Sequence, residues 1–325
     1  MKAGSVAGGG TAEGDGSPGS SLERSGGVPG DTLGPSAPRI PLPPVPLPDE
    51  LAATAREYDD GTRTPVEPRN AATVVLLRDG AGGPEVYLLR RHTSMDFAGG
   101  MCVFPGGGVD PRDFDASVAW AGPSPAEWAE RLGAAEDVAR ALVCAAVRET
   151  FEESGVLLAG PSPETVVADT TGGEWEADRV ALESRELAMT DFLTRRGLVL
   201  RTDLLGAWDG WLTPVFEPRR YRTWFFVARM PEGQRTRDVS TESSSVVWKP
   251  AAVAADEADA GTLAMLPPTY LTCLEIAQHR SSDDVLAAAG GRTVDMFTPS
   301  VEPLGEGFTL SMPDRLRPLV ASRRG

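Results

Sequence analysis

Three carboxylates stand at helical spacing in the run Arg148-Glu149-Thr150-Phe151-Glu152-Glu153-Ser154-Gly155-Val156. Positions i, i+3 and i+4 of a helix share a face, so Glu149, Glu152 and Glu153 project together with Cβ atoms about 5–6 Å apart. Carboxylates this close repel one another unless a positive group sits among them. Hard oxygen donors so arranged suit Mg2+ or Mn2+, ions that also take oxygens from a phosphate. Arg148 can fork onto Glu152 one turn away and fix its rotamer, leaving the other two acids free. A solvated acidic face with an i, i+4 salt bridge is the plainer reading of the same residues, and three glutamates alone do not decide between the two.

The elements that would carry these residues are legible in part. Ala134 to Ser154 is rich in Ala, Glu and Arg, lacks Gly and Pro, and carries Val143, Val147 and Phe151 at i, i+4 spacing, which predicts a helix ended by Gly155 as its C′ residue. The runs AATVVLLRD from Ala71 and EVYLLRR from Glu85 flank Asp79-Gly80-Ala81-Gly82-Gly83 and predict a hairpin. Gly99-Gly100 and Phe104-Pro105-Gly106-Gly107-Gly108 follow, where glycines permit close backbone approach. After the helix, Val156-Leu157-Leu158 reads as a strand, and an irregular charged segment runs from Gly160 to about Arg196. Thr223 to Arg229 and Ser245 to Trp248 read as strands, and Pro267 to Ala289 as an amphipathic helix or pair.

Composition narrows the function. The 325 residues carry 31 Lys and Arg against 47 Asp and Glu, a net charge of −16, which argues against holding nucleic acid through its phosphates. A small polyanion remains open, since one bound metal ion reverses the local sign. Cys102, Cys144 and Cys273 show no paired spacing, so neither a disulfide framework nor a zinc site is expected, and a reducing, cytoplasmic setting is. No signal-peptide core and no apolar run of membrane-spanning length is read, so no membrane partner is expected. Residues 1–48, rich in Gly, Ser and Pro and ending in IPLPPVPLP, are expected to be a disordered tail, with a proline-rich docking site as its functional alternative.

With these residues in view, the chain resembles the Nudix hydrolases, whose signature is G-x5-E-x7-R-E-U-x-E-E-x-G-U with U a large aliphatic residue. The second half matches at Arg148, Glu149, Glu152, Glu153, Gly155 and Val156, with Thr150 where an aliphatic is usual. Phe104-Pro105-Gly106-Gly107 resembles the loop before the helix, and six residues beyond Gly107 stands Asp113 where the pattern has Glu. From Asp113 to Arg148 the chain advances 35 positions where the pattern allows eight, so about 27 residues are inserted, Trp120 and Trp128 among them. An insert at this place is similar to that of the peroxisomal coenzyme A diphosphatases. Trp211-Leu212-Thr213-Pro214, Arg219 to Phe226 and Leu266-Pro267-Pro268-Thr269 add to the likeness, which covers roughly residues 70–315.

The resemblance implies an α/β fold, an α/β/α sandwich around a mixed sheet, as a single domain over 49–325 with an insertion at about 114–140 and a C-terminal helical region at about 265–290. It implies a Mg2+- or Mn2+-dependent pyrophosphohydrolase in which Glu149, Glu152, Glu153 and the Gly107 carbonyl hold the metal. Glu152 and Glu153 would act in catalysis with Arg148 orienting them, and Glu242, ahead of the strand ending at Trp248, is the candidate general base outside the helix. Arg90, Arg91, Arg220 and Arg222 are candidates for gripping substrate phosphates, and Arg219 stands beside them. His92 reads as a packing or loop residue, and Trp208, Trp211 and Trp224 as core.

The extra motif of coenzyme A diphosphatases, approximately L-L-T-x-R-S-x3-R-x3-G-x3-F-P-G-G, is met at Leu88-Leu89, Gly100 and Phe104 to Gly107. His92 and Phe97 stand near its two arginines. Coenzyme A or acyl-coenzyme A is therefore expected on subgroup likeness. ADP-ribose, dinucleotides and nucleotide sugars are the alternatives, and a non-catalytic ligand-sensing domain is a reading of a different class. The expected partner is a small diphosphate, and a homodimer stays open.

Overall fold

The computed structural model describes residues 42–95 and 98–324. The expected tail over 1–41 and Phe97 lie outside the described residues. Fourteen strands among the described residues are β1 (Pro46–Leu47), β2 (Arg69–Gly80), β3 (Gly83–Arg91), β4 (Cys102–Val103), β5 (Gly106–Gly108), β6 (Trp120–Ala121), β7 (Ala159–Gly160), β8 (Val199–Arg201), β9 (Leu205–Leu212), β10 (Tyr221–Arg229), β11 (Ser243–Pro250), β12 (Met296–Phe297), β13 (Val301–Leu304) and β14 (Gly307–Leu310). The helices are α1 (Asp49–Asp59), α2 (Pro125–Leu132), α3 (Glu136–Ser154), α4 (Gly173–Glu183), α5 (Met189–Arg196), α6 (Ala251–Asp259), α7 (Pro267–Ile276), α8 (Ser282–Ala289) and α9 (Arg317–Ser322).

The central sheet is mixed and runs β11-β3-β2-β10-β9-β12, with β4 beside β3 and β5 beside β2. β2 and β3 form the expected hairpin, while β10 lies parallel to β2 and antiparallel to β9. Side chains alternate across a strand, and the two faces of β2 and β10 are both apolar, so both must be covered. Ala72, Val74 and Leu76 of β2 and Trp224, Phe226 and Ala228 of β10 join Leu142, Val143, Val147 and Phe151 of α3 in one buried cluster. On the opposite face, a Cβ built on Gly206 would meet both Val227 and Ala289 of α8, so α8 packs there. Helix, mixed sheet and helix form the expected α/β/α layers.

The insertion folds rather than loops out. Residues Pro111–Phe114 make a 3-10 turn, α2 carries a capping box in which Ser124 and Glu127 satisfy each other's backbone amides, and Gly133 closes it in the left-handed region. Trp128 is fully buried, with its ring 5.7 Å from that of Phe226, and Trp224 donates its Nε1 hydrogen to the Leu132 carbonyl at 2.9 Å. A ring of this size removed from water contributes on the order of 3–5 kcal/mol. The insertion thus covers the N-terminal half of α3 and locks that helix to the sheet.

Several boundaries differ from the sequence expectation. Within the expected tail of 1–48, Pro46 and Leu47 form a short strand that pairs antiparallel with Thr309 and Phe308 of β14. Val156 to Leu158 form no strand; the chain leaves α3 through the left-handed Gly155 and pairs only from Ala159. The segment read as irregular holds α4 and α5. Among the described residues no helix is long and apolar enough to cross a membrane, and Cys102, Cys144 and Cys273 are free, buried thiols.

Candidate active site

α3 runs beneath the glycine loop, and close approach is what the glycines provide. A Cβ on Gly107 would come within 2.5 Å of a Glu149 carboxylate oxygen, and one on Gly106 would meet the Ala72 carbonyl at the same distance. Only glycine lets β5 slide between β2 and the acidic face of the helix. The Gly106 amide donates to Glu153 Oε2 at 2.7 Å.

Arg148 is the hub. Its Nε and Nη2 donate to the two oxygens of Asp113 at 3.1 and 2.9 Å, and Nη2 also donates to the Gly108 carbonyl at 3.0 Å. Nη1 donates to Glu149 at 2.8 Å and to Glu152 at 3.1 Å. Asp113 is itself fixed, because it accepts the Asp110 amide at 2.8 Å across the 3-10 turn. The expectation that Arg148 would leave two acids free needs correction on one of them: Glu149 is its partner as well. Asp113 stands at the signature's Glu position in the sequence but is given no role there; the 35 positions of chain between it and Arg148 hide their contact, which the 3-10 turn of Asp110 to Asp113 sets up.

Three carboxylates, those of Asp113, Glu149 and Glu152, thus share one guanidinium, and the buried Glu153 stands beside them on the Gly106 amide. Burial, and then the neighbouring Glu149, push Glu152 up to about 8 against the pull of Arg148. Glu149 and Glu153 are raised too, by burial first. Burial pulls the Arg148 guanidinium down, but Glu149, Asp113 and Glu152 more than reverse it. Thr150 at the usually aliphatic position is fully buried and returns its hydroxyl hydrogen to the Ala146 carbonyl at 2.7 Å, a common way for threonine to sit inside a helix.

The donor set fits a hard divalent cation: carboxylates in excess of the local positive charge, beside a glycine backbone. Among the described residues no three His, Cys, Asp or Glu side chains form a ready metal cage, since Arg148 draws Glu149 and Glu152 while Gly106 draws Glu153. Arg179 secures the site from behind, donating to the Glu152 backbone carbonyl at 2.7 Å and to Glu176 and Glu183 of α4.

A cavity of about 610 Å3 opens at the glycine loop. Its walls include Gly106 to Gly108, Thr73, Phe104, Trp211, Tyr221, Thr223, the start of α7 and, from the two ends of the chain, Val45 and Met312. Arg91 and Glu242 line it and are paired at 2.8 Å. The other arginines are turned elsewhere. Arg90 donates to the Gly100 carbonyl, buried Arg220 to the Thr213 and Val66 carbonyls, and Arg222 to Asn70. None of the three lines the cavity. His92 is an exposed loop residue, and Trp208, Trp211 and Trp224 are buried, Trp211 with its edge at the cavity.

The family model for the NUDT19 Nudix domain matches residues 124–275. A putative nudix hydrolase 7 of Caenorhabditis elegans is 29% identical over 215 residues, 66% of this chain and 62% of that relative, so the matched stretch spans less than two thirds of its length. The acyl-coenzyme A diphosphatase NUDT19 of Gallus gallus is 26% identical over 306 residues, covering 77% of this chain and 80% of the chicken protein. Among solved structures, a NUDIX hydrolase from Alicyclobacillus acidocaldarius superposes with a TM-score of 0.59 at 26% identity, covering 71% of this chain and 99% of that one.

Proposed function

We propose that the chain, which is similar to the Nudix hydrolases and among them to a coenzyme A diphosphatase, is a Nudix hydrolase that cleaves the diphosphate of coenzyme A or an acyl-coenzyme A. The observation that carries this reading is the gathering of three helix carboxylates, Glu149 and Glu152 on Arg148 and Glu153 on the Gly106 amide, beneath a glycine loop that opens on a cavity. Glu149, Glu152, Glu153 and the Gly107 carbonyl would hold Mg2+ or Mn2+. Such an ion, when bound, neutralises diphosphate oxygens and lowers the pKa of a bound water.

The rest falls to the chain's own groups. Arg148 holds Glu149 and Glu152 in one orientation, and Asp113 holds Arg148, so the carboxylates are set before substrate arrives. Glu242 lines the same cavity within electrostatic reach of Glu149 and Glu153 and is the candidate to take the proton of the attacking water. The cavity beside the carboxylates offers Phe104, Trp211 and Leu266 to an apolar arm attached to the diphosphate, which favours coenzyme A derivatives over smaller diphosphates.

The test is a panel of coenzyme A, acyl-coenzyme A, ADP-ribose, dinucleotides and nucleotide sugars incubated with the protein in Mg2+ or Mn2+, with products identified by mass. Coenzyme A should yield adenosine 3′,5′-bisphosphate and phosphopantetheine, and chelation should stop it. Preferred turnover of ADP-ribose would reassign the substrate, and no turnover of any compound would refute hydrolysis.

A further inference from the structure

Arg91 stands apart from the other charged groups of the site. Among the described residues it is the only arginine, lysine or histidine that lines the cavity. Its side chain is 15% exposed, its Nη2 donates to Glu242 at 2.8 Å, and its Nε is buried without any partner. A buried, unsatisfied guanidinium nitrogen costs free energy, and a phosphate presents the two-oxygen edge that a guanidinium fork completes. Glu242 is half exposed, with its carboxylate otherwise open to water. The pair is pinned at its backbone, because the His92 amide donates to the Glu242 carbonyl at 3.0 Å while Ser243 pairs with Arg91 across β3 and β11. Side chains can therefore exchange partners while the main chain stays still.

We propose that Arg91 is a substrate-triggered latch on Glu242: it pairs with this carboxylate in the free protein and transfers to a phosphate group of the diphosphate, leaving Glu242 free to accept a proton. The proposal rests on the diphosphate hydrolase reading above. In the step it serves, the water oxygen bonds to phosphorus as the bond from phosphorus to the bridging oxygen breaks. One water proton passes to Glu242, and the bridging oxygen leaves with its electron pair on the departing phosphate. Before substrate binds, Arg91 keeps Glu242 engaged; afterwards Arg91 compensates the phosphate charge. Arg91 is thus both a binding residue and a positioning residue for Glu242.

The exchange makes an uncommon prediction, that removing the carboxylate tightens binding. The probe is methylenediphosphonate, a diphosphate analogue whose central carbon cannot be hydrolysed, titrated calorimetrically in Mg2+. Glu242→Gln should bind it several-fold tighter than wild type, because Arg91 no longer leaves an ion pair, and its kcat on coenzyme A should fall by about 100-fold or more. Arg91→Ala should bind roughly tenfold or more weakly, Arg91→Lys should lie between, and Arg91→Ala/Glu242→Gln should match Arg91→Ala. Equal or weaker binding by Glu242→Gln, persistence of its tightening in the double variant, or no effect of Arg91→Ala overturns the latch. If the binding pattern holds while no diphosphate compound is turned over, the latch stands and the hydrolase reading fails; turnover without the binding pattern has the reverse meaning.

Discussion

Two arginines, Arg148 and Arg91, meet glutamates at the candidate site, and they are built for opposite purposes. Arg148 is buried, every nitrogen of its guanidinium donates, and its partners come from the 3-10 turn, β5 and α3 itself. Arg91 lines a cavity, holds one half-exposed carboxylate and leaves a nitrogen unsatisfied. A saturated buried network is rigid, because any partner lost strands a charge in low dielectric. An unsaturated pair at a cavity wall exchanges cheaply, because water and ligand screen the intermediate. The first region suits the fixed part of a site and the second the part that responds to substrate.

If α3 supplies the fixed part, its carboxylates carry the largest effect. Glu153→Gln removes a charge but keeps the volume, so far-ultraviolet circular dichroism should stay the same while kcat/KM on the active diphosphate falls on the order of a thousandfold. Retained turnover would break the assignment of this region as the reacting centre. Next in size is Asp113→Asn, which leaves Arg148 buried with its fork half undone. Breaking a buried pair from one side costs about 3 kcal/mol or more, so the urea midpoint should drop clearly. An Arg91→Ala variant should lose far less stability, and equal losses in the two would erase the contrast between the regions.

The pH dependence of stability sharpens the same contrast. Glu152 sits at about 8 in the folded chain against an ordinary value of 4.5, chiefly from burial, and Glu149 and Glu153 are shifted the same way. A carboxyl whose pKa is raised on folding stabilises the fold while it is protonated. Its contribution is fully present below about 4.5 and is lost as pH rises through about 8. In chelator the melting temperature should therefore fall across that window, beyond what general charge effects give. Mn2+ should flatten the fall by binding the ionised forms, and Glu152→Gln should flatten it without metal. A melting temperature that rises over this interval in chelator would mean that the α3 carboxylates are ionised and already compensated.

Much of this was legible from the chain because it is local. The spacing of Glu149, Glu152 and Glu153 and the Gly155 terminator are written within eight residues, and the β2–β3 hairpin within about twenty. What escaped depends on distant partners. α4 and α5 send Leu182, Met189, Phe192 and Leu193 into the core, but they are short and interleave those residues with charged ones paired over distance, such as Arg196 with Asp178, so their periodicity is hard to read. β9 passes through LGAWDGWL, whose two glycines are poor strand formers. They fit because Gly206 faces Ala289 and Gly210 faces Val294 with no room for a Cβ. Arg220 looked like a phosphate ligand by type, yet its carbonyl partners lie at Thr213 and Val66, contacts that only the folded chain creates.

The smallest expected effect concerns Thr150, the motif position that departs from the aliphatic norm. Its side chain is completely buried, so the position is set by packing, and the departure is a local compromise within the rigid region. The hydroxyl hydrogen goes to the Ala146 carbonyl at 2.7 Å, four residues back. Thr150→Val removes donor and methyl-sized hydroxyl together, leaving that carbonyl to the helix and filling the space with carbon. Valine and threonine are not equivalent in a core because of the hydroxyl, but here the buried donor disappears with its bond, a change that is close to neutral. The urea midpoint should move by no more than about 1 kcal/mol in stability, and kcat/KM should be unchanged, since the side chain reaches none of Arg148, Glu149, Glu152 or Glu153. A loss of turnover at unaltered stability would mean that the threonine bends α3 enough to aim its carboxylates, and the fixed region would then owe its geometry to this residue as well as to Asp113.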